Sequence, residues 1–143
     1  GDGPLRERIA QDNPDFIFCG IQRGEALARH FASGDLFLFP SHSETFGNVT
    51  LEAMASGVAT VAFNYGAARE HLQNGRGGAA VESDEDFIDA ALRLGNDDDL
   101  RAMLGANASR AMQRLQPEHV VADFDALLHE LSQRERADAL AAA

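Results

Sequence analysis

Lysine is absent from this sequence. All 12 basic side chains are arginine, set against 23 aspartates and glutamates for a formal net charge of −11. The absence excludes chemistry that runs through a lysine amine, whether a pyridoxal-phosphate Schiff base or the lysine of a phosphate-binding P-loop. The acidic balance argues against nucleic acid or an anionic membrane surface as a partner. Cysteine is nearly absent too. The single Cys19 cannot make an intrachain disulfide, and in its apolar segment it reads as a small buried hydrophobe rather than a catalytic thiol. With no C-x-x-C and five scattered histidines (His30, His42, His71, His119 and His129), no metal site is expected. No apolar run approaches the ~18 residues of a membrane helix and no signal peptide is visible, so a cytoplasmic chain without a transmembrane segment fits.

What is present is a globular core. Hydrophobic residues make up 45% of the 143, and a chain of this size buries roughly two thirds of its unfolded surface as one domain. Gly1-Asp2-Gly3-Pro4 reads as a turn, with Pro4 as the first residue of a helix through about Gln11. Short apolar runs at Asp15–Gly20, Leu36–Phe39, Ala59–Phe63 and Ala79–Val81 read as strands. Helical stretches at Gly24–Ala32, Val49–Ser56 and Ala67–Gln73 alternate with them, and Asn74–Gly78 is a turn. Three helices close the chain, at Asp84–Leu94, Asp98–Leu115 and Glu118 to about Arg136. Their apolar stripes are core by default, and the terminal R-E-R-A-D-A-L-A-A-A is a frayed end or tail. Alternating strands and helices indicate an α/β fold with a Rossmann-like parallel sheet.

The chain is organised around residues 35–57, D-L-F-L-F-P-S-H-S-E-T-F-G-N-V-T-L-E-A-M-A-S-G. Leu36–Phe39 has the continuous apolar character of a strand buried on both faces of a parallel sheet. Pro40–Gly47 is a polar loop, Asn48 is placed to cap the following helix, and Gly57 to stop it. The loop thus lies at the carboxyl end of a sheet strand, where open α/β sheets bind ligands, and it feeds a helix start suited to phosphate. Glu44 lies in the loop and Glu52 about one turn into the helix, so both carboxylates are placed to face one ligand. Taken alone, two glutamates carry little weight in a chain with 24% charged residues. Glu52 also reads as a solvated helix residue, and Glu44 as a partner of the helix dipole.

The whole string P-S-x-x-E-x-F-G, four residues, then E-A-M-A-x-G resembles the signature of the group-1 (family 4) retaining glycosyltransferases of the GT-B fold. The resemblance implies that Glu44 contacts hydroxyls of the donor sugar, which makes it the candidate catalytic-site residue, and that Glu52 holds the ribose hydroxyls of the nucleotide. It further implies that Phe46, Gly47, Asn48 and Val49 present backbone amides to the sugar and phosphates, and that Gly20, Ile21 and Gln22 line the nucleotide base. His42 is a candidate sugar contact or a solvent-facing loop histidine. The donor would be a UDP- or GDP-hexose, no further cofactor is implied, and the acceptor is open. Transfer with retention needs no glycosidase pair of acid and nucleophile. It needs stabilisation of the departing diphosphate. Relatives supply a cationic clamp for that from a loop ahead of Gly1, and Arg23, Arg69 and Arg76 are the nearest substitutes here.

Gly1–Pro4 resembles the G-x-G-P turn that follows the second strand of the C-terminal donor domain in such enzymes. On that reading residues 1–143 are a single domain fragment, an incomplete half of a GT-B enzyme, lacking its first strands and the N-terminal acceptor domain. Such a fragment is expected to be inactive alone and open to self-association, while the full-length enzyme is a candidate for peripheral membrane attachment. Two departures stand out: Gly57-Val58-Ala59 where relatives have Gly-x-Pro, and Gly66-Ala67 where they have Gly-Gly. Asp97-Asp98-Asp99 superficially offers a D-x-D metal motif, but acids ahead of an amphipathic helix read better as a cap. The alternative from another class is a non-catalytic α/β nucleotide- or protein-binding module. Its receiver-like version needs a lysine that this chain lacks.

Overall fold

A computed structural model describes the backbone of residues 2–72 and 75–141, with side chains through residue 134. Three parallel strands form one sheet in the order β1 (Leu36–Phe39), β2 (Ala59–Phe63), β3 (Gly78–Val81). Leu36 pairs with Ala59 and Thr60 with Gly78, each register running on without a break. The helices are α1 (Arg6–Asp12), α2 (Gly24–Ala32), α3 (Asn48–Ala55), α4 (Gly66–His71), α5 (Asp84–Gly95), α6 (Asp98–Met112) and α7 (Pro117–Ala141). A 3₁₀ turn at Gln113–Leu115 joins the last two. The α/β reading holds, with α3 and α4 as the crossovers between successive parallel strands.

The strand buried on both faces is β2, not Leu36–Phe39. All five residues of β2 are buried, and its alternating side chains feed two clusters. On one face Ala62 meets Met54, Ala68, Leu72, Ala108 and Met112; on the other Ala59 and Val61 meet Leu94 and Leu104. β1 is half-buried because it forms an edge of the sheet among the described residues, and Leu38 is 45% exposed. Residues 15–20 form no strand, contrary to expectation. A strand exists only through a ladder with a neighbour, and this segment pairs with none; Phe16 and Ile17 are exposed. For the same reason Cys19, expected to be buried, is exposed.

Other corrections are local. α1 starts at Arg6 rather than Pro4, after a turn in which the Arg6 amide bonds the Gly3 carbonyl at 3.0 Å. α4 starts at Gly66 and ends at His71; the expected end of that helix at Gln73 and the turn residue Asn74 lie outside the described residues. α7 continues to Ala141, through the segment expected to be a tail. Asp97 caps α6 as expected, its carboxylate accepting the Leu100 amide at 2.9 Å, which leaves it a capping role. Among the described residues no cluster of His, Cys, Asp or Glu could hold a metal ion.

The stripe of α7 is not core. Val120, Val121, Phe124, Leu127, Leu128 and Leu131 are all about half exposed or more, because among the described residues α7 packs mainly on the adjoining 3₁₀ turn. Phe124→Ala is therefore expected to change unfolding free energy by less than about 0.5 kcal/mol, as surface substitutions do. Met54→Ala, at a fully buried position of the first cluster, is expected to cost about 2–5 kcal/mol. Urea denaturation of the two variants checks the contrast, and equal losses would mean that α7 is part of the core.

Candidate functional site

Residues 40–47 run from the carboxyl end of β1 to the start of α3. The turn into α3 is made by Gly47, buried and left-handed at φ 90°. Asn48, expected as the cap, is instead the first helical residue, and no side chain caps this helix. Gly47 takes the place because only a residue without Cβ adopts that conformation freely. The Thr50 amide bonds the Gly47 carbonyl at 3.0 Å, whereas the amides of Asn48 and Val49 have no acceptor within the helix. Asn48 is exposed and Val49 half-buried. An uncapped helix start with free donors is an anion-binding arrangement.

Glu44 is exposed, and the Ser41 hydroxyl donates to its Oε1 at 3.2 Å. Among the described residues no cation pairs with it. Glu52 is exposed too, on the side of α3 opposite the buried Thr50, Ala53 and Met54. Among the described residues neither carboxylate is paired with a cation, and Glu44 accepts only the Ser41 hydroxyl, so both keep lone pairs for hydroxyl donors. Glu44, Phe46 and Gly47 share a narrow crevice with Ser41 and Tyr65 that has about 10 Å³ of free space. Glu52 does not line it. With so little free space the crevice is packed and has no room for a sugar or a nucleotide.

Gly20, Ile21 and Gln22 lie ahead of α2, which packs against α3. Gly20 is left-handed at φ 70°, Ile21 is exposed, and the Gln22 amide donates to the Cys19 carbonyl. They do not line the crevice that Glu44 shares with Tyr65. His42 is occupied: its ring lies tilted against Phe63, with centroids 4.0 Å apart, and its Nε2 lies 3.3 Å from the Asp84 carboxylate. Of the substitutes for a cationic clamp, Arg69 is also committed, donating through Nε and Nη2 to the Asn64 carbonyl at 3.2 and 3.0 Å.

A larger cleft of about 730 Å³ opens at the free edge of β3, between Arg69, Arg93 and Met103, and no residue of the Glu44–Glu52 stretch lines it. Sequence reasoning missed Tyr65. This residue, the only tyrosine in the chain, donates its hydroxyl to the Ser41 carbonyl at 2.7 Å. The contact spans 24 positions, so no local spacing signals it.

The Gly66-Ala67 departure has a structural account. Gly66 must remain glycine because a Cβ there would lie 2.4 Å from the Phe46 carbonyl oxygen. Ala67 is fully buried, so its methyl group fills core space, and its amide bonds the same carbonyl at 2.7 Å. Ala59, where relatives have proline, is the first residue of β2, a strand position that proline also tolerates.

Residues 1–97 match the family described as glycosyl transferases group 1. The chain is 33% identical over 121 residues to sulfoquinovosyl transferase SQD2 of Arabidopsis thaliana, covering 80% of this chain and 24% of that protein. It is 39% identical over 82 residues to a GDP-mannose-dependent alpha-mannosyltransferase of Corynebacterium glutamicum, covering 57% of this chain and 20% of that one. It thus spans about a fifth to a quarter of these relatives. Among solved structures, sucrose-phosphate synthase of Thermosynechococcus elongatus superposes with a TM-score of 0.77 at 25% identity, covering 91% of this chain and 34% of that one. The C-terminal domain of a group 1 glycosyltransferase (LpcC) of Francisella tularensis superposes with a TM-score of 0.64 at 28% identity, covering 76% of this chain and 58% of that one. The motif on the β1–α3 loop, the parallel sheet and these likenesses agree: the chain belongs to the group 1 glycosyltransferases and has the Rossmann-like fold of their C-terminal GT-B domain.

Proposed function

We propose that this chain binds the nucleotide-sugar donor, a UDP- or GDP-hexose, of a retaining glycosyltransferase that passes the hexosyl group to a lipid, glycan or small-molecule acceptor. The observation that carries the reading is the pair of exposed carboxylates with free lone pairs on either side of an uncapped helix start. Glu44 accepts hydroxyls of the sugar and Glu52 the ribose diol, since a carboxylate can accept two hydroxyl bonds at once. The diphosphate lies at the free amides of Asn48 and Val49, where the helix dipole favours negative charge. Gly20, Ile21 and Gln22 line the base. That local field reconciles a net charge of −11 with an anionic ligand. The mannosyltransferase likeness favours a GDP-hexose.

The chain on its own binds without transferring. Arg69 is held by the Asn64 carbonyl, which leaves the diphosphate without that clamp, and Glu44, Asn48 and Glu52 are all exposed, so the site is open to solvent. Stabilising a departing diphosphate depends on preorganised charge in a site shielded from water. Measurable steady-state transfer by the isolated chain would contradict this.

Saturation-transfer NMR of the chain with UDP, GDP and ADP tests the reading. Transfer to the ribose protons of one nucleotide is expected, and in Glu52→Ala its affinity falls roughly ten- to a hundredfold, the loss expected for hydrogen bonds to a charged group. A nucleotide that binds equally well to Glu52→Ala would remove the ribose role. Failure of every nucleotide to bind, in this chain and in a longer chain that includes it, would remove the donor site altogether.

A further inference from the structure

We propose that Tyr65 is a positioning residue for Glu44, fixing the carboxylate that contacts the donor hexose; the inference rests on the donor-site reading above. Glu44 lies on the loop joining β1 to α3, and an exposed glutamate on a loop ordinarily samples many rotamers. Here both sides of it are tied to one junction, the turn from β2 into α4. On the upstream side the half-buried Tyr65 donates its hydroxyl to the Ser41 carbonyl at 2.7 Å. On the downstream side the Ala67 amide donates to the Phe46 carbonyl at 2.7 Å. Between these ties the Ser41 hydroxyl, 3.2 Å from both Oε1 of Glu44 and the Ser43 carbonyl, passes the constraint to the carboxylate.

The chemistry of the relay suits a sugar contact. Ser41 occupies one lone pair on Oε1, so the rest of the carboxylate stays free to accept hydroxyl bonds. Tyr65 itself is half-buried and lines the packed crevice beneath the loop. Its effect therefore passes through Ser41. Removing its hydroxyl should loosen the hold on hexose and leave the hold on nucleotide intact, because Glu52 and the start of α3 are fixed separately by Thr50, Ala53 and Met54.

The test compares affinities of this chain for UDP and GDP with those for UDP-glucose and GDP-mannose, in the native sequence, Tyr65→Phe, Ser41→Ala and the double variant. In the native chain the nucleotide sugar of the preferred base should bind more tightly than the bare nucleotide. Tyr65→Phe should weaken that nucleotide sugar about two- to tenfold, the range for one hydrogen bond, with the bare nucleotide unchanged. Ser41→Ala should do the same, and the double variant should lose no more than either alone, as expected for two links of one relay. Equal weakening of nucleotide and nucleotide sugar would show a general structural role and overturn the inference. So would an unchanged sugar increment in Tyr65→Phe, or additive losses, while Glu52-dependent nucleotide binding would leave the donor site standing. No nucleotide binding in the native chain and in a longer chain that includes it would overturn both.

Discussion

Replacing Gly66 with alanine is expected to unseat the loop that carries Glu44 and to lower stability by about 2–5 kcal/mol. Two costs combine. Gly66 is left-handed at φ 52°, which costs an L-residue about 1–2 kcal/mol. The new Cβ would also lie 2.4 Å from the Phe46 carbonyl oxygen, well inside contact distance, and overpacking of this kind costs about 1–3 kcal/mol. The clash is with backbone, so no side-chain rotation relieves it. The loop must move away, and the bond from the Ala67 amide to the Phe46 carbonyl goes with it. For a chain of this size the melting temperature should fall by on the order of 10 °C, with amide shifts concentrated at residues 41–47 and 65–67. Unchanged stability with the Ala67–Phe46 bond retained would show that the two loops are not packed this closely.

Gly105→Ala carries a loss of similar size at the other end of the crossover. Gly105 lies in the middle of α6, where alanine normally gains up to about 1 kcal/mol over glycine in helix propensity. Packing outweighs that gain. An added Cβ would lie 2.1 Å from the carbonyl oxygen of Gly57, the residue that turns the chain from α3 toward β2. The contact lets α6 lie flat on that turn, with the Ser109 hydroxyl reaching the Ala55 carbonyl at 3.5 Å. α6 also sends Leu104 into one core cluster and Ala108 and Met112 into the other, so displacing it opens both. A net loss of about 2–4 kcal/mol is expected, the upper part of the overpacking range and beyond it for a backbone contact that cannot relax. The urea midpoint of Gly105→Ala measures it. A midpoint that rises, as propensity alone would dictate, would mean that α6 does not pack on the α3–β2 turn as described.

The two substitutions act on different functions. Gly66→Ala disturbs the Glu44 loop directly and should weaken nucleotide-sugar binding even under conditions where the chain stays folded. Gly105→Ala acts through the core. Its surviving folded fraction should bind with native affinity, because the atoms nearest an added Cβ belong to Gly57 and Ala59 and not to the loop.

The sequence by itself determined the order of elements from α2 onward, the parallel α/β class and the placing of Glu44 and Glu52 on a strand–loop–helix unit. Those features are written in local patterns. Four apolar residues before a proline make β1, a polar loop holding one glycine follows, and good helix formers make α3. The Asp97 cap was equally legible, since a cap bonds within its own first turn. Tertiary structure decided which apolar runs are buried. Asp15–Gly20 and the stripe of α7 read as strand and core because hydrophobicity records what a segment can bury, and only the presence of a packed neighbour makes it do so. For the same reason β2, not β1, is the fully buried strand. Tertiary structure also decided that Gly66 and Gly105 must lack a side chain and that Tyr65 reaches Ser41. Each depends on a close approach between segments far apart in the chain, and no spacing within either segment encodes the distance between them.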